Sequence, residues 1–294
     1  MKPDSHKLAF VGMACAVAAM ACLAVLDATN KYLTASVPLL MVLWFRYVFQ
    51  AVATTAVMWP HRGWTLFRTH NYKLQLVRGV LLLLCSWLGF ASLQRMPVAE
   101  FSAIAMLTPL VVTILARFVL KEPVSRIRWL LVLGGLLGAL LIVRPGGSVH
   151  TDAAWLPLSM VVVYAAFQIL TSRMAKTENL VTMHIYTGWV GTAIASLLVL
   201  GAWTTELTPF QWFLMCVIGF AGTLGHYLLI VAFSRAPASS VSPFLYSSIA
   251  FATLAGWLVF SHIPDLWATL GIMLIALCGL GAGWLSQREM PASS

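Results

Sequence analysis

The stretch Arg95-Met96-Pro97-Val98-Ala99-Glu100-Phe101-Ser102 returns 140 residues later as Arg235-Ala236-Pro237-Ala238-Ser239-Ser240-Val241-Ser242. Working outward, the same offset sets Thr113 on Thr253 and Val119 on Val259, and one further residue of slip sets Pro123 on Pro264 and Gly138 on Gly279. Two Leu/Ala-rich halves would match Leu and Ala by composition, but Arg, Pro and Gly at nearly one offset indicate a repeat. Each copy carries five hydrophobic segments, and an odd number makes the second copy enter a bilayer from the opposite side. The expected fold is therefore an all-α membrane protein of ten transmembrane helices, arranged as two inverted five-helix repeats over 8–145 and 151–286. In such repeats the substrate site lies near the bilayer midplane, where the halves meet.

The composition agrees with a bilayer as solvent. Hydrophobic residues make up 61% of the chain and charged ones 9%, and the mean hydropathy is +0.89; a soluble domain carries about a quarter charged residues. A span needs roughly 20 mostly apolar residues. Ten are expected: Phe10–Leu33, Leu39–Met58, Leu76–Leu93, Val98–Phe118, Arg128–Val143, Ala153–Ser172, Val181–Gly201, Phe210–Phe233, Ala238–Phe260 and Leu266–Leu285. The first resembles a signal peptide, with Lys2 and Lys7 ahead of an apolar run. Its counterpart Ala153–Ser172 is a full span, so the first is read as a retained helix.

Lys and Arg gather in cytoplasmic loops. With the N-terminus inside, thirteen fall on cytoplasmic segments (Lys2, Lys7, Arg62, Arg68, Lys73, Arg117, Lys121, Arg126, Arg128, Arg173, Lys176, Arg235, Arg288) and three on outer ones (Lys31, Arg95, Arg144). Both termini are thus expected in the cytoplasm of a bacterial inner membrane. The net charge of +9 then reads as a topology signal, with no nucleic-acid partner implied. Most of the Trp residues fall near span ends, where amphipathic rings anchor at the headgroups. The five cysteines lie in spans without metal-ligand spacing, so neither metal nor disulfide is expected. No phosphate-binding loop of the form G-x-x-x-x-G-K-[ST] occurs, no cofactor is implied, and the chain is expected to be a monomer or weak homo-oligomer.

Arg78-Gly79-Val80, Arg95-Met96-Pro97-Val98-Ala99-Glu100, Leu107-Thr108-Pro109-Leu110, Lys121-Glu122-Pro123 and Gly134-Gly135-Leu136-Leu137-Gly138 resemble the first half of the drug/metabolite transporter superfamily, in its EamA-type branch. Arg235-Ala236-Pro237-Ala238-Ser239, Pro243-Phe244, Gly256-Trp257-Leu258-Val259-Phe260 and Pro264-Asp265 look like the matching second unit. The resemblance implies ten helices with both termini inside, and transport of amino acids, other metabolites or cationic drugs. Aromatic amino-acid exporters are the nearest pattern within the branch. Ser261-His262 stands where the family usually has Gly-Glu, which argues for a structural role of the corresponding Glu122.

Ionisable groups at membrane depth are expensive, so they normally face protein or water and pair. Asp27 and Arg46 fall roughly 6 to 11 Å below the outer surface at ~1.5 Å per residue, a depth at which they can form an ion pair. An offset near 141 puts Gln168 opposite Asp27 and Thr187 opposite Arg46. The 140 offset relates Ser86-Trp87 to His226-Tyr227, placing polar and aromatic groups at matching depths as candidate cavity walls. Ser102, Met106 and Thr108 against Ser242, Tyr246 and Ser248 join them, with Tyr164, Gln168, Tyr186 and Trp189. Flat apolar walls with a few placed polar groups suit an aromatic cargo, so Trp87→Ala is expected to weaken large cargo more than small. The cargo route is read as free of a midplane carboxylate, which favours facilitated over proton-coupled movement. Pro109 and Pro243 are expected to bend the fourth and ninth helices. Gly134-Gly135-Leu136-Leu137-Gly138 and Gly279-Leu280-Gly281-Ala282-Gly283 mark the fifth and tenth as closely packed scaffold or oligomer contacts.

These features point to a secondary carrier exporting small metabolites, amino acids among them. Efflux of quaternary cations is the alternative, and requires Asp27 to be free. A membrane-embedded enzyme or lipid-handling protein needs an interfacial catalytic cluster, and no such spacing appears. The charge asymmetry predicts that a reporter fused after Gln287 reads cytoplasmic and one fused after Gly147 reads external; an external C-terminus would overturn both topology and inverted repeat.

Overall fold

The computed structural model describes residues 5–93, 95, 101, 104–143, 155–204, 206–260 and 266–289. Through them run α1 Ser5–Leu33, α2 Leu39–Arg62, α3 Tyr72–Leu93, α4 Thr108–Phe118, α5 Arg126–Val143, α6 Trp155–Met174, α7 Leu180–Leu198, α8 Pro209–Arg235, α9 Ser247–Phe260 and α10 Leu266–Glu289. No strand occurs among the described residues. Hydrocarbon offers the backbone no hydrogen bonds, and a helix closes all of its own. Six helical stretches are long and apolar enough to cross a membrane: Leu8–Leu33, Leu39–Phe67, Tyr72–Ser92, Trp155–Met174, Leu180–Gly201 and Pro209–Arg235. Thr108–Phe118 and Thr269–Ala282 are apolar but shorter. Leu130, Leu197, Leu200 and Leu280 point outward from the bundle, as expected where lipid is the solvent.

The fourth and ninth segments are interrupted rather than bent. Met106 and Leu107 form a turn in which the Leu107 N–H reaches the Ile104 carbonyl at 3.0 Å, and α4 starts at Thr108 with Pro109 in its first positions. A proline there gives up an N–H that no helical carbonyl would have accepted. Ahead of α9, one α-turn (Ala238–Val241) passes into a 3-10 turn (Ser242–Tyr246) that has Pro243 in its first positions. Glu100, Ser102 and Ser261-His262 lie outside the described residues.

Packing has an exchange symmetry. Helix α1 packs on α8 and α9, as α6 packs on α3 and α4; α2 packs on α7 and α8, as α7 packs on α2 and α3; α5 packs on α10. Swapping α1–α5 for α6–α10 returns these larger contacts, while the smaller α1–α10 and α6–α8 contacts are not matched. Glycine permits the two self-related crossings. A Cβ on Gly188 would stand 2.9 Å from the Ala51 backbone nitrogen where α7 meets α2, and one on Gly138 would stand 2.9 Å from the Gly271 carbonyl oxygen where α5 meets α10.

At the end of the bundle where α1 starts, two buried carboxylates tie the halves together. Glu178, after α6, accepts hydrogen bonds from Thr69 Oγ1 at 2.9 Å and from the His70 and Asn71 N–H groups at 3.0 Å each. Glu122, after α4, accepts from the N–H groups of Ala238 at 3.2 Å and Ser239 at 3.0 Å. The preceding Lys121 has φ 56°, a left-handed conformation that turns the chain out of α4 while the Glu122 N–H closes on the Ala116 carbonyl at 3.1 Å. Anions favour helix N-termini because the first N–H groups there lack partners. Removing a buried acceptor strands its donors at about 1–3 kcal/mol. Glu178→Ala should therefore lower thermal stability in detergent by that order, with Glu178→Gln recovering part of it; an unchanged melting temperature for the alanine variant would refute the tie.

Candidate functional site

A cavity of about 240 Å³ lies between the two halves. On α3 its wall is Leu82, Cys85, Ser86, Gly89 and Phe90, a spacing of three and four that defines one helix face. On α6 it is Met160, Tyr164 and Gln168, each four residues on. Helix α1 supplies Met20, Leu23, Ala24 and Asp27, α2 supplies Arg46 and α8 supplies His226. The two interruptions deliver the rest: Met106, Thr108 and Pro109 from the first, Leu245, Ser248 and Ile249 from the second. Phe101 and Ala105 complete the apolar side.

Arg46 organises the polar side. It is 3% exposed; Nη1 donates to Ser86 Oγ at 2.7 Å and Nη2 to His226 Nε2 at 2.6 Å. Its Cζ sits 5.0 Å from the Tyr47 ring centroid, and Tyr47 Oη shares Ser86 Oγ at 3.2 Å. A guanidinium has donors only, so His226 Nε2 accepts and the imidazole proton resides on Nδ1. That Nδ1 is buried without a well-formed hydrogen bond, as are both amide atoms of Gln168 and Arg46 Nε. Ser86 and His226, related by the repeat offset, thus hold one cation from both halves.

The ion pair expected between Asp27 and Arg46 does not form. Among the described residues the ion pair found is His70–Glu178 at 3.9 Å. Asp27 faces the same cavity with no hydrogen-bond or ion-pair partner, because Ser86, His226 and Tyr47 fix the guanidinium elsewhere. Asp27 thus places a carboxylate on the cavity wall.

Ser86, Tyr164, Gln168 and His226 take the wall positions expected of them; four aromatics do not. Trp87 is 42% exposed, since one residue beyond Ser86 turns about 100° away around the helix. Tyr227 turns away from His226 in the same manner and meets His184 edge-on at 5.6 Å. Trp189 is exposed and donates from Nε1 to Thr55 Oγ1 at 3.1 Å. Tyr246 fills the α5 scaffold beside Gly135, packed with Val132, Ile249 and Ile275. Ser242 bonds Thr113 Oγ1 at 2.6 Å and Tyr186 donates to the Phe67 carbonyl at 3.0 Å, both away from the cavity.

Two features escaped the sequence reading. Phe90 and Phe101 are cavity aromatics; helical spacing from Ser86 would have flagged Phe90, whereas the turn at Met106–Leu107 breaks the register between Pro109 and Phe101. Arg78 is 1% exposed. It donates from Nε to Thr171 Oγ1 at 2.8 Å and from Nη1 to the Met183 carbonyl at 2.9 Å and to Thr187 Oγ1, with its Cζ 4.8 Å from the Phe167 ring centroid. It lies behind the cavity wall and clamps α3 to α6 and α7.

The EamA-like transporter family model matches residues 10–144. An S-adenosylmethionine uptake transporter of Rickettsia felis is 26% identical over 81% of this chain and 81% of its own length. A riboflavin transporter of Vibrio cholerae is 29% identical over 70% of this chain and 68% of its own, and a pseudopaline exporter of Pseudomonas aeruginosa 28% identical over 91% and 94%. The likeness is to small-molecule membrane transporters. A solved crystal structure superposes with a TM-score of 0.81 at 16% identity, over 96% of this chain and 98% of that one, which shows a shared fold. These relatives point to a multi-pass bacterial membrane transporter and away from an enzyme.

The geometry reverses the expectation for Trp87. Tyr164 lines the cavity and stacks on Phe167, with ring centroids 6.0 Å apart. An aromatic cargo ring stacked on Tyr164 would lose about 0.5 to 1.5 kcal/mol beyond area with that ring, so Tyr164→Ala should raise the half-saturation concentration for an aromatic amino acid about two- to tenfold. Trp87→Ala should leave it unchanged in the same liposome assay; a larger effect at Trp87 would refute the wall assignment.

Proposed function

We propose that this chain is a secondary transporter of the EamA-type branch in a bacterial inner membrane, moving small metabolites by alternating access through the central cavity. Its cargo is read as amino acids, aromatic ones included, and its direction as export, as in a YddG-type aromatic amino-acid exporter. The observation that carries this is the cavity itself: it lies between the halves, and residues at symmetry-related positions of both hold its cation. A volume of about 240 Å³ falls below the ~300–1,000 Å³ of drug-sized pockets and suits a small solute. Phe90, Phe101 and Tyr164 offer rings for an apolar side chain.

The same proposal includes ten spans as two inverted repeats, 8–145 and 151–286, with both termini in the cytoplasm. The exchange symmetry of the packing supports it, as does the family match over 10–144, which nearly coincides with the first repeat. In that topology the end tied by Glu122 and Glu178 is cytoplasmic. Relatives named for uptake and for export both fit one carrier architecture.

Efflux of quaternary or aromatic cations remains the second reading, favoured by the free Asp27 carboxylate on the cavity wall. Purified protein in liposomes should catalyse counterflow of labelled phenylalanine without an imposed gradient. Filling the cavity with Gly89→Trp should abolish it while the protein stays folded by size-exclusion chromatography. Absence of counterflow for an amino-acid panel, with counterflow of tetraphenylphosphonium present, would replace the first reading by the second.

A further inference from the structure

We infer that Asp27 and Arg46 are the two poles of one cargo site and that together they require a zwitterion: a cationic group for Asp27 and an anionic group for Arg46. This rests on the proposal that cargo occupies the central cavity. Both side chains line that cavity, yet they form no ion pair with each other. Arg46 hydrogen-bonds the uncharged oxygen of Ser86 and a ring nitrogen of His226, two contacts for a group with five donors. Asp27 forms no hydrogen bond or close ion pair among the described residues, and it interacts with Arg46 only through space.

Arg46 is buried, and an ionised group away from water is strongly disfavoured unless it is paired and hydrogen-bonded; Asp27 is exposed and so open to a ligand in the cavity. A cationic cargo would satisfy Asp27 and be repelled by Arg46. An anionic cargo would do the reverse, and a neutral one would leave both poles unanswered. A zwitterion with its two charges close together, as in a free amino acid, answers both. Gln168 strengthens the assignment: it is 0% exposed, lines the same cavity, and neither its carbonyl oxygen nor its amide nitrogen makes a well-formed hydrogen bond, with the Tyr164 hydroxyl within its reach. It can therefore accept from an ammonium or donate to a carboxylate. The Arg46 guanidinium is held by Ser86, His226 and Tyr47 rather than by Asp27, so the poles are kept apart before cargo arrives, which lowers the ordering cost of binding.

The test measures binding of three probes to the full-length protein in detergent by calorimetry. L-Phenylalanine carries both charges, phenylalaninamide the cation alone and 3-phenylpropanoate the anion alone. Phenylalanine should bind about ten- to a hundredfold more tightly than either analogue, the range of one charge-assisted contact. Asp27→Asn should bring phenylalanine and 3-phenylpropanoate together, and Arg46→Gln should bring phenylalanine and phenylalaninamide together. Variants are compared only where size exclusion and melting show a folded protein, and where Arg46→Gln does not fold, Asp27→Glu, which keeps the carboxylate, should keep the preference that Asp27→Asn loses. Equal binding of phenylalanine and either analogue by the wild type, no binding of any probe, or an unchanged preference in Asp27→Asn would overturn the inference. Failure of the underlying proposal looks different: phenylalanine counterflow would persist in Gly89→Trp, placing the route elsewhere.

Discussion

A guanidinium taken out of water has to be answered by the protein, and in this bundle Arg46 is answered without an acid. Arg in a membrane helix costs about 2.5–3.5 kcal/mol at the helix centre and less nearer the surface, while interhelical hydrogen bonds in membranes average about 0.6 kcal/mol each. The position of Arg46 on a cavity wall, facing an unpaired carboxylate, gives it a reason to be there. Its two contacts also fix relative positions: Ser86 brings α3 and His226 brings α8 to one atom group on α2. Arg78 repeats the device one layer away, joining α3 to α6 and α7 through Thr171, the Met183 carbonyl and Thr187.

Symmetry of packing coexists with asymmetry of chemistry. The repeat sets Gln168 opposite Asp27, and both reach the cavity, so related positions carry a neutral amide and a carboxylate. Ser86 and His226 are likewise related and likewise differ, yet both serve Arg46. The packing on the two sides of the cavity is thus alike while the polarity of its wall is not. The interruptions at Met106–Leu107 and Ser242–Tyr246 belong to this design, because each ends helical hydrogen bonding beside the cavity and turns side chains into it. Irregular backbone at membrane depth is tolerated where it is buried in protein or lines a cavity.

The all-helical membrane class was legible because composition and segment length leave few alternatives for so apolar a chain. Ser86, Tyr164, Gln168 and His226 were legible because polar groups in an apolar span must find protein or cavity. Trp87 and Tyr227 were misplaced by treating a dipeptide as one depth, when adjacent helical residues diverge by about 100°; once Ser86 faces inward, Trp87 cannot. The Asp27–Arg46 pair was misjudged because depth along two helices says nothing of rotation, nor of the competing donors and acceptors from α3 and α8. Tyr246 could not be placed from spacing at all, since a 3-10 turn precedes α9 and resets the register of that face.

The ties at the two ends of the bundle differ in kind, and that difference bears on how the protein moves. At the end where α1 starts, the halves are held by carboxylates on backbone N–H groups, at Glu122 and Glu178, with Thr113–Ser242 at 2.6 Å beside them. At the other end the contacts among the described residues include Trp44 Nε1 to Ser196 Oγ at 2.8 Å, Gln211 Nε2 to Ser36 Oγ at 3.0 Å, and the Trp44–Trp203 and Tyr32–Phe210 ring pairs. Hydrogen bonds to ionised groups are roughly twice as strong as neutral ones. Separation at the carboxylate end therefore costs more unless water replaces the carboxylates' partners as they part. The wall positions on α1, Met20 to Asp27, lie in the half of that helix farther from the tied end. The cavity wall on α1 thus lies away from the carboxylate ties, and cargo drawn to Asp27 and Arg46, both in the first half, would reach the second through the Arg46–His226 contact.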